Sequence, residues 1–169
     1  AIFRQRDAFY IPDWTNDVHY ELEVVIRINR LGKNIEPKFA SKYYSDFTVG
    51  IDFTARDVQA ELKSKGLPWE KSKGFDQSAV LGEFLSTSDY DLTNLNFQLK
   101  KNGELVQDGN TSLMLHPIAQ IIEHTSKYFT LKIGDIIFTG TPEGVGPVSG
   151  GDVLEGYIEG KKVLHVKVK

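Results

Sequence analysis

The strongest constraint on the fold is the run from Tyr20 to Ile28, where Tyr20, Leu22, Val24, Ile26 and Ile28 alternate with Glu21, Glu23, Val25 and Arg27. A period of two marks a strand with one face on a core, and it cannot be laid on a helix, whose apolar residues return about every 3.6 positions. Phe47 to Phe53 reads as a second strand. Leu95, Phe97 and Leu99 alternate up to Asn102-Gly103, a strong hairpin signal, with Glu104 to Gln107 as the returning strand. Asp135 to Thr139 is expected to be a short buried strand, and Val153 to Ile158 should pair with Val163 to Val168 across Glu159-Gly160. Two helices interrupt the strands. One opens at Thr54, with Asp57 completing a capping box, and ends near Lys65, before Gly66 and Pro68. The other starts near Pro117 with Ile118, Ile121, Ile122 and Thr125 on one face. Gly140 to Gly151 is a loop rich in glycine and proline. The pattern predicts an α+β chain that is mainly β, in a single domain over residues 1–169.

Composition excludes several kinds of chemistry. With no cysteine there can be no disulfide, thiolate ligand or thiol nucleophile, so a bound metal must be held by oxygen or imidazole. The net charge of −3 is small and the basic residues are scattered apart from Lys161, Lys162, Lys167 and Lys169, which argues against a nucleic-acid partner. No apolar run reaches the roughly 18 residues of a membrane span, and Arg4, Arg6 and Asp7 stand where a signal peptide needs an apolar block. A soluble, cytoplasmic protein without a membrane partner is expected. Asn110-Thr111-Ser112 matches a glycosylation sequon, a short pattern that carries little weight without a secretory signal.

Glu21 and Glu23 lie two apart on a strand, so their carboxylates leave the same face a few ångströms from each other. An isolated Glu-x-Glu is usually a solvated strand face, yet like charges held so close are relieved by a cation. Asp52 stands at a strand-to-helix junction, where it could favour the positive end of the helix or supply a third hard oxygen ligand. Arg56 and Gln59, three apart on the helix, share a face that could meet a substrate carboxylate, although a surface salt bridge is the commoner use of one Arg. His19 is the only histidine on the charged face of the first strand, and a lone histidine there is more often structural than a ligand. No Gly-x-Ser-x-Gly elbow is present, the Gly140 to Gly146 stretch lacks the Gly-Lys-Ser/Thr ending of a phosphate loop, and Trp14 and Trp69 read as packing residues.

Three segments resemble the core signature of the fumarylacetoacetate hydrolase family: His19-Tyr20-Glu21-Leu22-Glu23, Asp52-Phe53-Thr54-Ala55-Arg56-Asp57-Val58-Gln59, and Lys71-Ser72-Lys73-Gly74-Phe75-Asp76. Asn102-Gly103-Glu104, Gly109 to Ser112 and Gly134 to Gly146 resemble the same family in the same order, so the likeness covers nearly the whole chain. Gly66-Leu67-Pro68-Trp69 is similar to the small acylpyruvase-like members. The resemblance implies a mixed β-sandwich roll with a few short helices, a homodimer, and Glu21, Glu23 and Asp52 as ligands of Mg²⁺, with Mn²⁺ or Ca²⁺ as alternatives. It also implies that Arg56, Gln59, Lys73 and Thr141 face a bound 2-oxo acid, and that Lys73 acts in catalysis as a donor beside a developing oxyanion.

Small members of the family carry a His-x-x-Glu dyad on an N-terminal lid, and this chain starts downstream of it, so the lid is expected to lie outside the chain. A second departure is Lys73-Gly74, where the family usually has Lys-Ser. Hydrolysis of an acylpyruvate or related 2,4-diketo acid is the leading expectation. The alternatives are oxaloacetate decarboxylation or tautomerisation, isomerisation or decarboxylation of 2-hydroxyhepta-2,4-diene-1,7-dioate, and, from another class, a non-catalytic metal- or ligand-binding β domain.

Overall fold

The alternating run at the start of the chain forms two strands rather than one. Val18–Tyr20 and Leu22–Ile28 are separated at Glu21 and belong to different sheets. A computed structural model describes residues 1–4 and 8–169; of the N-terminal charges named above, Arg6 and Asp7 lie outside the described residues. Leu22–Ile28 sits within a six-stranded sheet, paired antiparallel with Tyr44–Asp52 on one side and with Ile136–Phe138 on the other. Beyond Tyr44–Asp52 come Ala79–Leu81 and then Ile2–Arg4, the last pair parallel, while Leu85–Ser86 pairs the other end of Tyr44–Asp52. A small sheet joins Gly146–Pro147, Val18–Tyr20 and Thr54–Ala55. A four-stranded antiparallel sheet has the order Lys161–Lys167, Val153–Ile158, Asn96–Lys101, Glu104–Asn110.

The two larger sheets face each other over one apolar core that includes Leu22, Val24, Ile26, Phe47, Val49 and Ile51 from one side and Phe97, Leu99, Leu154, Ile158, Leu164 and Val166 from the other. Gly156 lies where they approach closely, because a Cβ there would stand 3.0 Å from a Val49 methyl carbon. The architecture is mainly β with short helices, as expected. Both hairpin turns use the left-handed region demanded of a two-residue connection: φ is 53° and 87° at Asn102-Gly103, and 46° and 77° at Glu159-Gly160.

Local expectations fared unevenly. The helix Arg56–Ser64 ends as its sequence dictates: Gly66 takes φ 64°, its N–H bonds to Lys63 O at 3.2 Å, and the Leu67 N–H bonds to Leu62 O at 2.9 Å, closing a Schellman motif. Its start differs. Thr54 is a strand residue paired with His19, and Asp57 instead accepts the Thr15 hydroxyl at 2.6 Å and the Asn16 N–H at 2.9 Å, so the expected capping box is absent and Asp57 anchors a distant loop. Ile118–Tyr128 buries Ile118, Ile122 and Ser126, and the Ser126 hydroxyl accepts the Ile35 N–H at 2.9 Å. Ile136–Phe138 is half-buried rather than buried, because it pairs on one side only. Trp14 and Trp69 are about half exposed (49% and 47%) and do little core packing; Trp14 meets Phe75 edge-on, and Trp69 lies beneath the Lys63 ammonium. Among the described residues no helix is long and apolar enough to cross a membrane.

Candidate metal and substrate site

The break at Glu21 and the register beyond it build the site. Leu22 stands opposite Ile51 and Glu23 opposite Gly50; one further step puts Asp52 opposite Glu21, and the Asp52 N–H donates to Glu21 O at 2.9 Å. Opposed residues of an antiparallel pair, and those two apart on one strand, share a face, so Glu21, Glu23 and Asp52 converge. Gly50 occupies the fourth corner, where a side chain would collide with Val80 O and the Phe138 ring. Each carboxylate offers an oxygen within 4.8 Å of the others.

This face is not solvated. Glu21 and Glu23 are only 7% and 6% exposed, with Asp52 half-buried. Burial, foremost, pushes the Glu23 carboxyl up to about 7; the Gly140 N–H that it accepts at 2.6 Å works the other way, and the charges of Asp52 and Glu21 add to the rise. Burial also raises Asp52, against the hydrogen bond from Lys73.

Two cations answer these acids. Lys73, on the one-turn helix Glu70–Lys73, donates to Glu21 at 2.5 Å and to Asp52 at 2.7 Å. Burial works against its charge, but those two bonds outweigh it and hold the ammonium above the ordinary lysine range. The one-turn helix is not visible in the sequence pattern, and it is fastened by fully buried Ser72, whose hydroxyl donates to Trp69 O at 2.7 Å. Arg56, the first residue of its helix, bonds Glu21 and also donates to Gln59 at 2.9 Å. Thr141 lies on the loop after Ile136–Phe138, beside the Gly140 amide that binds Glu23. Of the seven residues singled out in the sequence, Glu21, Glu23 and Asp52 form the acid cluster, Arg56 and Lys73 bond it, Gln59 bonds Arg56, and Thr141 follows the glycine whose amide binds Glu23. His19 is occupied elsewhere, with its Nε2 2.9 Å from an Asp17 oxygen.

Sequence reasoning missed Gln107, which is buried beneath Thr141 and bonds its hydroxyl at 2.9 Å. The signal was present: Gln107 pairs with the fully buried Leu99, so a polar side chain occupies an inward-facing position.

The fumarylacetoacetate (FAA) hydrolase C-terminal family matches residues 1–169. The chain belongs to the fumarylacetoacetate hydrolase family. Among relatives within it, the chain is 39% identical over 162 residues to oxaloacetate tautomerase YcgM of Escherichia coli strain K12, covering 95% of this chain and 74% of that one. The structure of fumarylpyruvate hydrolase from Pseudomonas aeruginosa, solved in complex with Mn²⁺ and pyruvate, is similar at TM-score 0.91 and 32% identity, covering 99% of this chain and 73% of that one. The 2-hydroxyhepta-2,4-diene-1,7-dioate isomerase from Mycobacterium marinum is similar at TM-score 0.91 and 36% identity, covering 99% and 65%. This is a family of enzymes acting on small 2-oxo acids, with tautomerases, isomerases and hydrolases among its named members.

Proposed function

We propose that the chain is a divalent-cation-dependent enzyme that enolises a small 2-oxo acid, interconverting the keto and enol forms of oxaloacetate. The observation that carries this reading is the convergence of three buried or half-buried carboxylates with an ammonium bonded to two of them. The donor set suits the cation: three carboxylate oxygens and no nitrogen or sulfur favour Mg²⁺, Mn²⁺ or Ca²⁺ over zinc. Charge agrees as well. With every group ionised, Glu21, Glu23 and Asp52 exceed Arg56 and Lys73 by one negative charge, and a divalent ion turns that into one positive charge, matched to a carboxylate.

Glu21, Glu23 and Asp52 would hold the ion. When bound, it supplies Lewis-acid polarisation of the 2-oxo group. The chain's own residues do the rest. Arg56, kept at the site by Gln59, and the Thr141 hydroxyl bind the substrate carboxylate and orient it. Lys73 keeps a proton on Nζ beside the oxygen that gains negative charge, a donor already in place before that charge develops. Burial of the acids keeps bulk water from weakening these interactions.

Acylpyruvate hydrolysis, the leading expectation from sequence, stands as the second reading. It is favoured by the Gly66-Leu67-Pro68-Trp69 segment and by the similarity to the fumarylpyruvate hydrolase, and it needs an activated water in addition to the groups above. A homodimer in a cytoplasmic setting accompanies either reading, and light scattering tests the assembly. The deciding experiment follows enol-oxaloacetate absorbance and acylpyruvate absorbance with purified protein, with Mg²⁺ or Mn²⁺ and then with EDTA. Faster cation-dependent loss of the enol supports tautomerisation, and acylpyruvate consumption alone transfers the assignment to hydrolysis. Cation binding without turnover of either substrate would leave a binding module and refute the enzyme.

A further inference from the structure

The strand Ile136–Phe138 pairs with Leu22–Ile28 in a register that sets Ile136 against Arg27, Ile137 against Ile26 and Phe138 against Val25. Continued, that ladder would bring Thr139 to Val24, Gly140 to Glu23 and Thr141 to Leu22. It does not continue as a strand. Thr139 still bonds Val24 O, through its N–H at 3.2 Å and its hydroxyl at 2.8 Å, but Gly140 turns its N–H to the Glu23 carboxylate and the chain splays away. Into the opening comes the amide of Gln107, from the facing sheet. Its Oε1 accepts the Leu22 N–H at 2.9 Å, and its Nε2 donates to the Thr141 hydroxyl at 2.9 Å and to Pro142 O at 3.1 Å.

A side-chain amide carries one donor group and one acceptor, as a peptide unit does, so Gln107 stands in for the missing rung of the ladder while keeping the two chains apart. It is only 2% exposed, and without it the buried Leu22 N–H, between two of the carboxylate-bearing residues, would lose its acceptor. The loop is also pressed onto Glu104–Asn110, the strand that carries Gln107: Gly144 has φ 95°, and a Cβ there would lie 2.2 Å from Val106 O, so only glycine allows this approach.

We infer that Gln107 is a positioning residue, which holds the Thr139–Gly144 loop off the strand at a fixed spacing and so sets where the Thr141 hydroxyl meets the substrate. This rests on the reading above in one respect, that Thr141 contacts the oxo acid. Gln107 itself touches no reacting atom. It acts through Thr141, and its effect should appear in substrate binding and not in the cation site.

Two replacements separate its ends. Gln107→Glu keeps the acceptor for Leu22 and removes the amide donor, whereas Gln107→Met removes both. KM for oxaloacetate should rise about tenfold in each, the scale of one or two lost neutral hydrogen bonds. In Gln107→Glu, kcat and Mn²⁺ affinity should stay within about twofold of wild type, since the Leu22 end survives. Thr141→Val should raise KM similarly, and adding Gln107→Met to it should raise KM little further. An unchanged KM, effects that multiply, or Mn²⁺ affinity falling in step with KM would overturn the inference. If the wild-type protein turns over no oxaloacetate, the functional reading fails alone. Hydrogen exchange over residues 139–145 then decides the matter, with faster exchange confined to that segment in Gln107→Glu in favour and unchanged exchange against. Should neither Gln107 variant fold, Gly144→Ala displaces the loop from Glu104–Asn110, the strand that carries Gln107, and normal exchange and KM there would count against the inference.

Discussion

Glu23 and Glu155 are both glutamates in strands with apolar neighbours on either side, and they meet opposite fates. Glu155, in the four-stranded sheet, pairs with Lys162 of the adjoining strand at 2.9 Å, and chiefly that hydrogen bond holds its carboxyl below the usual range. Glu23, in the six-stranded sheet, is buried among other acids and is pushed up to about 7. The difference lies in what covers each sheet. The outer face of the four-stranded sheet is open, so its charges are hydrated and paired. The charged face around Glu21 and Glu23 is covered by Lys73, Arg56 and the Gly140 loop, so its charges are gathered without full compensation. Natural sequences tolerate such an arrangement where a ligand relieves it.

Replacing one residue of each pair sharpens the contrast most. Glu23→Gln should weaken Mn²⁺ binding by more than the roughly 10–100-fold that loss of an outer-shell partner costs, and abolish cation-dependent turnover, while Glu155→Gln should leave both within about twofold. Titration calorimetry and the enol assay measure the two effects. Equal behaviour of the variants would erase the distinction between the sheets. Next in size, Lys73→Met should lower kcat about a hundredfold or more with little change in KM, because its partner is charge that develops during reaction. A rise in KM alone would reassign Lys73 to substrate binding.

Acidity offers a third comparison. Glu23 ionises at about 7 in the fold against an ordinary value of 4.5, so between those values the folded protein binds more protons than the unfolded chain, and the stability of the metal-free protein falls as pH rises through that window. Glu155 has the opposite sign: its contribution is present above the ordinary value and is lost as pH falls through its depressed one. Added Mn²⁺ should therefore raise Tm more at pH 8 than at pH 5.5, because a carboxyl must be deprotonated to bind it. A Tm gain independent of pH would refute the link between Glu23 and the ion. The smallest effect belongs to Lys162→Met, for which Tm should move by only a degree or so, as an exposed pair contributes little.

The four-stranded sheet was the more legible of the two. Its hairpins close over two-residue turns, Asn102-Gly103 and Glu159-Gly160, whose local chemistry sets the pairing beside each turn, although both ladders shift register farther along, between Leu99 and Lys100 and between Gly156 and Tyr157. The candidate site residues were singled out for a different reason, since Glu21, Glu23, Asp52, Arg56, Gln59, Lys73 and Thr141 stood within motifs of a known family. What the sequence hid was long-range. Alternation from Tyr20 to Ile28 gave no sign that Glu21 is where the chain passes from one sheet to another, or that its charged face would be covered. Asp57 had the spacing of a capping box and was recruited instead by Thr15, a partner that only tertiary structure supplies. Gln107 was passed over because its partners, Leu22 and Thr141, lie 85 and 34 residues away.

One further pairing bears on how the molecule comes into being. Phe9 bridges to Val168 in parallel, its N–H donating to Lys167 O at 2.8 Å and its carbonyl accepting the Lys169 N–H at 2.8 Å, while its ring stacks on Phe53 at 3.7 Å. A contact between residues so far apart in sequence closes a very long loop, and ordering that loop gives its entropy no return until the two segments meet. During synthesis Phe9, fully buried in the fold, cannot be paired in this way until Lys167 to Lys169 have been made. The hairpins of the four-stranded sheet can form early and locally, whereas the seat of Phe9 beside Phe53 draws on segments far apart in sequence. A chain halted before Lys167 would carry every acid of the site and lack the backbone partners that hold Phe9 in place over Phe53.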